Sequence, residues 1–261
     1  MGRLWSIRGR GYDYAFRSKC SRGQSGPGAG ATTCKSFRVR LRTNVSLYTP
    51  APFAGDDRAA VARLMHDHPF ATLITSYSSE PLVSHVPLLL IPGCEPHGTL
   101  IGHFARANPH WRGAHATQSI AIFMGPHAYV SPSWYEEPAR MVPTWNYAVV
   151  HAHGALEIVD DAAVTRATLD LLIQRFEGGR TTPWRFERSP AERDALVAGI
   201  VAFRLRIKHV DAKFKLSQNR SREDQRRVIA ALQSEGYPDA TATAAWMDEY
   251  SSRANDKSPR E

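Results

Sequence analysis

Three cysteines in 261 residues are few, and Cys20 and Cys34 lie in the first segment, which leaves Cys94 alone in the body. One thiol cannot build a disulfide framework, so a reducing compartment and a cytoplasmic location are expected. No stretch approaches the ~20 apolar residues of a membrane span. The run Val86-Pro87-Leu88-Leu89-Leu90-Ile91 has only the length of a strand. The start lacks the apolar core of a secretory signal. The familiar catalytic signatures are missing too: no G-x-G-x-x-G, no P-loop, no G-x-S-x-G and no H-E-x-x-H. A Rossmann-type nicotinamide site is therefore unsupported. Acidic residues are scarce at the front. Residues 1–44 hold ten Lys or Arg and only Asp13, a net +9. Of the 33 bases and 25 acids in the chain, 23 and 24 remain for the other residues, a net −1. The body lacks the basic excess of a dedicated nucleic-acid domain.

What is present reads as a folded protein. Hydrophobic residues make up 43% and aromatics 10%, enough at this length to bury one real core. Aromatic and polar residues are concentrated at turns. Gly125-Pro126-His127-Ala128-Tyr129-Val130-Ser131-Pro132-Ser133-Trp134-Tyr135-Glu136 is followed closely by Val142-Pro143-Thr144-Trp145-Asn146-Tyr147. Large rings beside a few placed hydrogen-bonding groups suit a pocket for a flat, polar, aromatic ligand.

The periodicity gives the elements. Asp56 to His68 reads as a helix capped by Asp56, with Val61, Leu64 and Met65 on one face. Residues 71–77 and 82–91 read as strands around the turn at 78–81, and 99–104 as a third. Asn108-Pro109 opens a short helix through Trp111. Two strands, 119–124 and 127–131, flank Gly125-Pro126, and 146–159 reads as one long strand bent at Gly154. A helix runs from Asp160 or Asp161 to Phe176. Ser189-Pro190-Ala191-Glu192 is a capping box that opens another. Residues 201–208 alternate as a half-exposed strand, and Ser221 starts a further helix. Arg222, Arg226 and Arg227 on that helix are the best basic stripe, but Glu223 and Asp224 interrupt it, so a solvated face is expected. Short strands, then helices, then a returning strand imply an α+β fold, mainly antiparallel β, a barrel with peripheral helices.

All eleven histidines lie in the body. His66/His68 and His151/His153 are spaced i, i+2, which puts each pair on one strand face, yet no third ligand stands close in sequence, so no metal is expected.

Separate segments, in order along the chain, resemble the PaiB family, the FMN-binding negative transcriptional regulators. They are Tyr48-Thr49-Pro50-Ala51-Pro52-Phe53, Phe70-Ala71-Thr72, Ser84-His85-Val86-Pro87-Leu88, His103 through Asn108-Pro109-His110-Trp111-Arg112, the two aromatic blocks, and Lys215-Leu216-Ser217-Gln218-Asn219-Arg220. The resemblance runs from Tyr48 to about residue 233. It implies an FMN-binding split barrel, Greek-key-like, working as a homodimer with the flavin near the interface. It also implies a repressor in which FMN is a bound ligand or sensor without defined turnover. Contact with DNA rests on the resemblance alone. The domain division expected is a basic, disordered extension over 1–46, the flavin domain with its helices over 47–235, and a C-terminal helix with a fraying tail over 236–261. Residues 1–46 are open to three readings: a transit peptide, a basic arm, or a segment outside the mature protein. The third is the expectation, since family members resemble this chain from a Met-Tyr start where Leu47-Tyr48 stands here.

The resemblance also names site residues. Lys215, Ser217, Gln218, Asn219 and Arg220 supply cations and donors of the kind a phosphate requires. His103, Asn108 and Trp111 sit around a helix start, a ready anion site. Arg106 lies there too, at a position that varies in the family. Thr72, Ser84 and His85 stand on paired strands, where Thr75 is explained by β-propensity. His127, Trp145 and Asn146 come from the aromatic blocks. Three alternatives remain: an FMN-dependent oxidoreductase of the flavin-reductase kind, a haem-binding split barrel using a body histidine, and a structural dimer with an empty pocket.

Overall fold

The computed structural model describes residues 47–77, 80–93, 97–187 and 189–256; the expectations for 1–46 and for Cys94 lie outside the described residues. The first helix, α1 (Arg58–Asp67), is capped by Asp57, not Asp56: the Asp57 carboxylate accepts from the Ala59 and Ala60 N–H groups. Its buried face is Ala60, Val61, Leu64 and Met65, each large side chain contributing about 1.5–3 kcal/mol of burial. Strand β1 (Phe70–Tyr77) follows Pro69, and β2 (Glu80–Pro87) pairs back on it antiparallel. After Leu88 the chain continues as β3 (Leu89–Ile91), which pairs with β4 (Thr99–Ala105). The stretch expected as one strand over 82–91 is thus two. A short helix α2 (His110–Ala114) precedes β5 (Gln118–Val130). Next come β6 (Thr144–Val159), α3 (Ala162–Glu177), α4 (Pro190–Ala198), β7 (Ile200–Lys215), α5 (Arg222–Glu235) and α6 (Pro238–Asp256).

The strand order is β2-β1-β5-β6-β7-β4-β3, all neighbours antiparallel. The two outermost strands, β2 and β3, are consecutive pieces of one chain. Leu88 N–H bonds to the Pro69 carbonyl at 2.8 Å where one piece gives way to the other. A sheet whose two edges are joined in this way is a split barrel of the α+β class.

Two irregularities govern which side chains face where. On β5 the register shifts between Met124 and His127. Ser119, Ala121 and Phe123 are buried before it, Ala128 and Val130 after it, so the alternation changes parity at Gly125-Pro126. One bulged strand therefore replaces the two expected there. On β7, His209 pairs with His153 but Ile207 pairs with Gly154, which leaves Lys208 as the extra residue. Phe203, Leu205 and Ile207 face the core before this bulge and Phe214 after it. The strand runs on to Lys215 instead of ending at 208. Gly154 belongs here as expected: a Cβ on it would lie 2.1 Å from the Arg206 carbonyl oxygen. The capping box is present as read, with the Ser189 hydroxyl on Glu192 N–H and the Glu192 carboxylate on Ser189 N–H.

Helices cover the sheet unevenly. Helix α3 packs on β4 and β7, and α6 lies on β5, with its Trp246 and Tyr250 meeting Phe214 of β7. The other face of β1, β5 and β6 is left open by the described residues. Phe70, Val83, Met124 and Trp145 each keep half or more of their surface exposed on it.

Candidate functional site

Register places the outward side chains of this open face in rows. His85, Thr72, Ile122, His151 and Asp211 form one row across β2, β1, β5, β6 and β7. Met124, Val149 and Lys213 form the next, then His127, Tyr147 and Lys215, and finally Tyr129 and Trp145. Five of the residues named from the sequence, Thr72, His85, His127, Trp145 and Lys215, therefore stand on one face although they are spread along the chain from residue 72 to residue 215 (~3.3 Å per strand residue would otherwise keep them far apart). The Thr72 hydroxyl and His85 Nδ1 are 3.1 Å apart. The Trp145 ring meets Tyr129 edge-on at 6.1 Å and His127 at 6.3 Å.

Cations gather along β7 at the edge of this face. Lys215 Nζ donates to the Thr144 hydroxyl and the Trp145 carbonyl, both at 2.7 Å. Lys213, which is buried, donates to the Tyr48 carbonyl at 2.8 Å and lies over the Tyr48 and Tyr147 rings. Neither lysine forms an ion pair among the described residues. Burial, followed by the charges of Lys213 and Arg220, pushes the Lys215 ammonium below the usual lysine range. Like charges held together on neutral acceptors fit an anion that neutralises them. On the same face, the buried His151 Nδ1 has no hydrogen-bond partner among the described residues.

The other named residues are placed elsewhere. Asn146 points to the α6 side, donating to the Ser217 hydroxyl at 2.9 Å and to Met247 Sδ at 3.2 Å, and its buried Oδ1 has no partner among the described residues. Ser217 holds φ 65°, a left-handed turn residue. The Gln218 side chain closes that turn by accepting from Leu216 N–H and donating to the Phe214 carbonyl. Asn219 is exposed, and Arg220 lies over the Tyr135 ring. So within the Lys215–Arg220 segment only Lys215 reaches the open face, and Ser217 and Gln218 shape the turn behind it. His103 is half-buried on the β4 strand that α3 covers; burial holds it below the usual imidazole range, and its Nδ1 has no hydrogen-bond partner among the described residues. Trp111 donates to the Arg106 carbonyl at 2.9 Å. Arg106 itself is a clamp, bound to Asp160 and to the carbonyls of Ala198 and Ile200.

Ser84 and Asn108 belong to a cluster inside the barrel. The Asn108 amide donates to the Ser84 hydroxyl at 3.1 Å, and Ser84 is 2.9 Å from His110 Nδ1. His110 Nε2 is 2.8 Å from the Thr75 hydroxyl, Thr75 is 2.8 Å from Ser119, and Ser119 donates to the Thr117 carbonyl. The two ends fix the direction of the whole chain. Ser84 receives the amide proton and donates to Nδ1, and the imidazole carries its proton on Nε2 and donates to Thr75. His110 is fully buried, stacks on Phe104 at 4.9 Å, and is held below the usual imidazole range by burial. Every member is satisfied, so the cluster fastens α2 to β1, β2 and β5. The N-cap of α2 is Pro109 and not Asn108 as expected, with the helix starting at His110; Asn108 still holds this turn, its Oδ1 accepting from His110 N–H at 2.9 Å. Sequence reading missed His110 and Lys213 as partners of the residues it named, and set Thr75 aside. A His directly after Asn-Pro was the available signal for the first; nothing local marked the second.

The donor set of the open face suits FMN. Lys213 and Lys215 match a phosphate dianion, Tyr129, Trp145, Met124 and Ile122 offer ring-sized apolar surface, and Thr72, His85 and His127 offer polar edges. Comparison with known proteins agrees in kind. Residues 47–209 match the family described as "Putative FMN-binding domain", a stretch that stops short of Lys213 and Lys215. The chain is 32% identical over 205 residues to Protease synthase and sporulation protein PAI 2 of Bacillus subtilis (strain 168), covering 78% of this chain and 97% of that protein. Among solved structures, the FAD and heme binding protein from Mycobacterium smegmatis superposes with a TM-score of 0.49 at 19% identity, covering 67% of this chain and 78% of that one. The flavocytochrome Anf3 from Azotobacter vinelandii gives 0.49 at 16%, covering 62% and 69%.

Proposed function

Since this chain belongs to the FMN-binding family matched over residues 47–209, that of PaiB, and has FMN as its cofactor, we propose that it is a flavin-liganded negative regulator of transcription. The observation that carries the placement of the flavin is the pair Lys213 and Lys215, two cations that form no ion pair among the described residues, at the edge of an aromatic sheet face. In this reading the lysines meet the phosphate and the Trp145 side of the face meets the ring. FMN supplies, when bound, a group that takes up one or two electrons. The protein's part is to hold it, shield it and present it.

The same face supports a homodimer. Phe70 and Val83, exposed by 69% and 53%, continue the apolar surface beyond the cations, and patches of this kind mark association sites. Two copies joined there would enclose the flavin between them. The regulatory half of the proposal is supported by the PaiB membership and by the name of PAI 2, a protease synthase and sporulation protein. Helix α5 offers little to DNA: Arg226 and Arg227 both pair with Glu223. Regulation through a protein partner accords better with that arrangement.

The test is a titration of the full chain with FMN, read by absorption and flavin fluorescence, beside sedimentation. Stoichiometric quenching in a dimer, weakened by Lys215→Ala, is the expected result. No binding at micromolar FMN would sink the placement. Bleaching of the bound flavin by NAD(P)H with turnover of an acceptor would favour the oxidoreductase. A Soret band on adding haem, lost in a single His→Ala variant, would favour the haem protein.

A further inference from the structure

A second cavity lies beyond the Tyr129 end of the sheet. It has a volume of about 310 Å³ and is lined by Tyr129, Ser131, Trp134, Glu235 and Tyr237. That is at the lower end of small-ligand pockets, about 300–1,000 Å³. We propose that this cavity binds a small organic ammonium ion.

Three features of the lining point to a positive charge, and they are independent. Three of the five residues are aromatic, Tyr129, Trp134 and Tyr237, and the faces of such rings attract a cation. The fourth, Glu235, is a carboxylate. The place it occupies is the third feature: Glu235 is the last residue of α5, and Gly236 ends the helix in the left-handed conformation at φ 73°. The C-terminus of a 14-residue helix carries the negative end of its dipole, where a carboxylate is unfavourable and a cation is stabilising. Helix α5 has no basic residue in its last turn, and Glu235 forms no ion pair among the described residues. The chain therefore places a negative side chain at a negative helix end among aromatic residues, and no described residue of the lining is a cation. An ammonium ion with alkyl substituents satisfies all three: the rings meet its methyl or methylene groups, and the carboxylate and the helix end meet its charge. A metal ion would find one carboxylate and apolar rings, a poor ligand set. An anion would meet repulsion from both Glu235 and the helix.

Two sources carry such a charge, a free ion and the head of a modified lysine on another protein; the volume of the cavity, about 310 Å³, accommodates the free ion, and the two sources separate experimentally. The full chain is titrated with tetramethylammonium chloride against sodium chloride at equal ionic strength. Tryptophan fluorescence and ligand-observed NMR follow binding, with tert-butanol as the uncharged analogue of similar shape. Saturable binding of tetramethylammonium, at least tenfold tighter than tert-butanol and at least fivefold weaker in Glu235→Gln and in Tyr237→Leu, is expected. Both substituted residues are exposed, and FMN affinity in these variants reports independently on the flavin face and stays unchanged. Equal binding of the charged and uncharged probes, or no effect of Glu235→Gln, overturns the proposal. A trimethyllysine tripeptide that binds more than tenfold tighter than the free ion overturns the small-molecule source.

Discussion

The polar side chains inside the barrel and those on its open face grow from the same strands and are balanced in opposite ways. Ser84 and His85 are neighbours on β2, yet Ser84 enters a closed chain of hydrogen bonds through His110 to Ser119, and His85 lies at the surface against the Thr72 hydroxyl and the Phe70 ring. Within the inner cluster donors and acceptors match one for one. On the outer face two lysines rest on carbonyls and hydroxyls, with no carboxylate paired to either among the described residues. Buried polar groups that satisfy each other hold a fold together. Charges that lack a complement are a feature a ligand can use. The comparison teaches that satisfaction, more than polarity or burial, separates architecture from site in this protein.

The contrast can be broken most sharply at His110. Replacement by Ala removes a stacked ring and orphans two hydroxyls, and should cost about 2–4 kcal/mol in urea unfolding. If that variant keeps its stability, the inner cluster is not structural. Lys215→Ala should do the reverse: stability stays within about 0.5 kcal/mol, and FMN binding weakens about tenfold to a hundredfold, as expected for a charge-assisted bond. A loss of stability with unchanged flavin affinity would exchange the two roles. Acidity gives a smaller effect. Burial keeps His110 neutral in the fold and below its ordinary pKa of 6.5, so the unfolded chain binds the proton more readily. The stability it contributes is full above that value and falls as the pH drops below it. His103 and His151 are shifted the same way by burial, so unfolding midpoints should fall between pH 7.5 and 5 and fall less steeply in His110→Asn. The smallest effect belongs to Arg226→Ala, which breaks an exposed pair with Glu223 and should change stability by less than about 0.5 kcal/mol.

Much of this was legible in the chain because it is local. The Ser189–Glu192 capping box, the bend at Gly154 and the helix after Ser221 each depend on residues within a turn or two of one another. Where the reading stopped, a bulge intervened. Lys208 on β7 and Gly125-Pro126 on β5 shift the alternation by one residue, so a pattern followed from one side loses phase at that point. The site divided in the same way. Thr72, His85, His127, Trp145 and Lys215 were identifiable by type, but their sharing of one face follows from register across five strands, which no spacing reveals. Gln218 was chosen for its chemistry, and its amide is spent on Phe214 and Leu216, a use that becomes visible only when the turn is formed.

The strand that closes the barrel also has a consequence in time. Residues 80–87 and 89–91 each pair with a neighbour close along the chain, β1 and β4, so both hairpins can form early and on their own. The seam between β4 and β7 joins Thr99 to Arg206 and must wait for everything between them. Such long-range pairing is slow. The last event in the making of this protein should therefore be the arrival of β7, and with it Lys213 and Lys215, so that the open face acquires these two cations only when the barrel is complete.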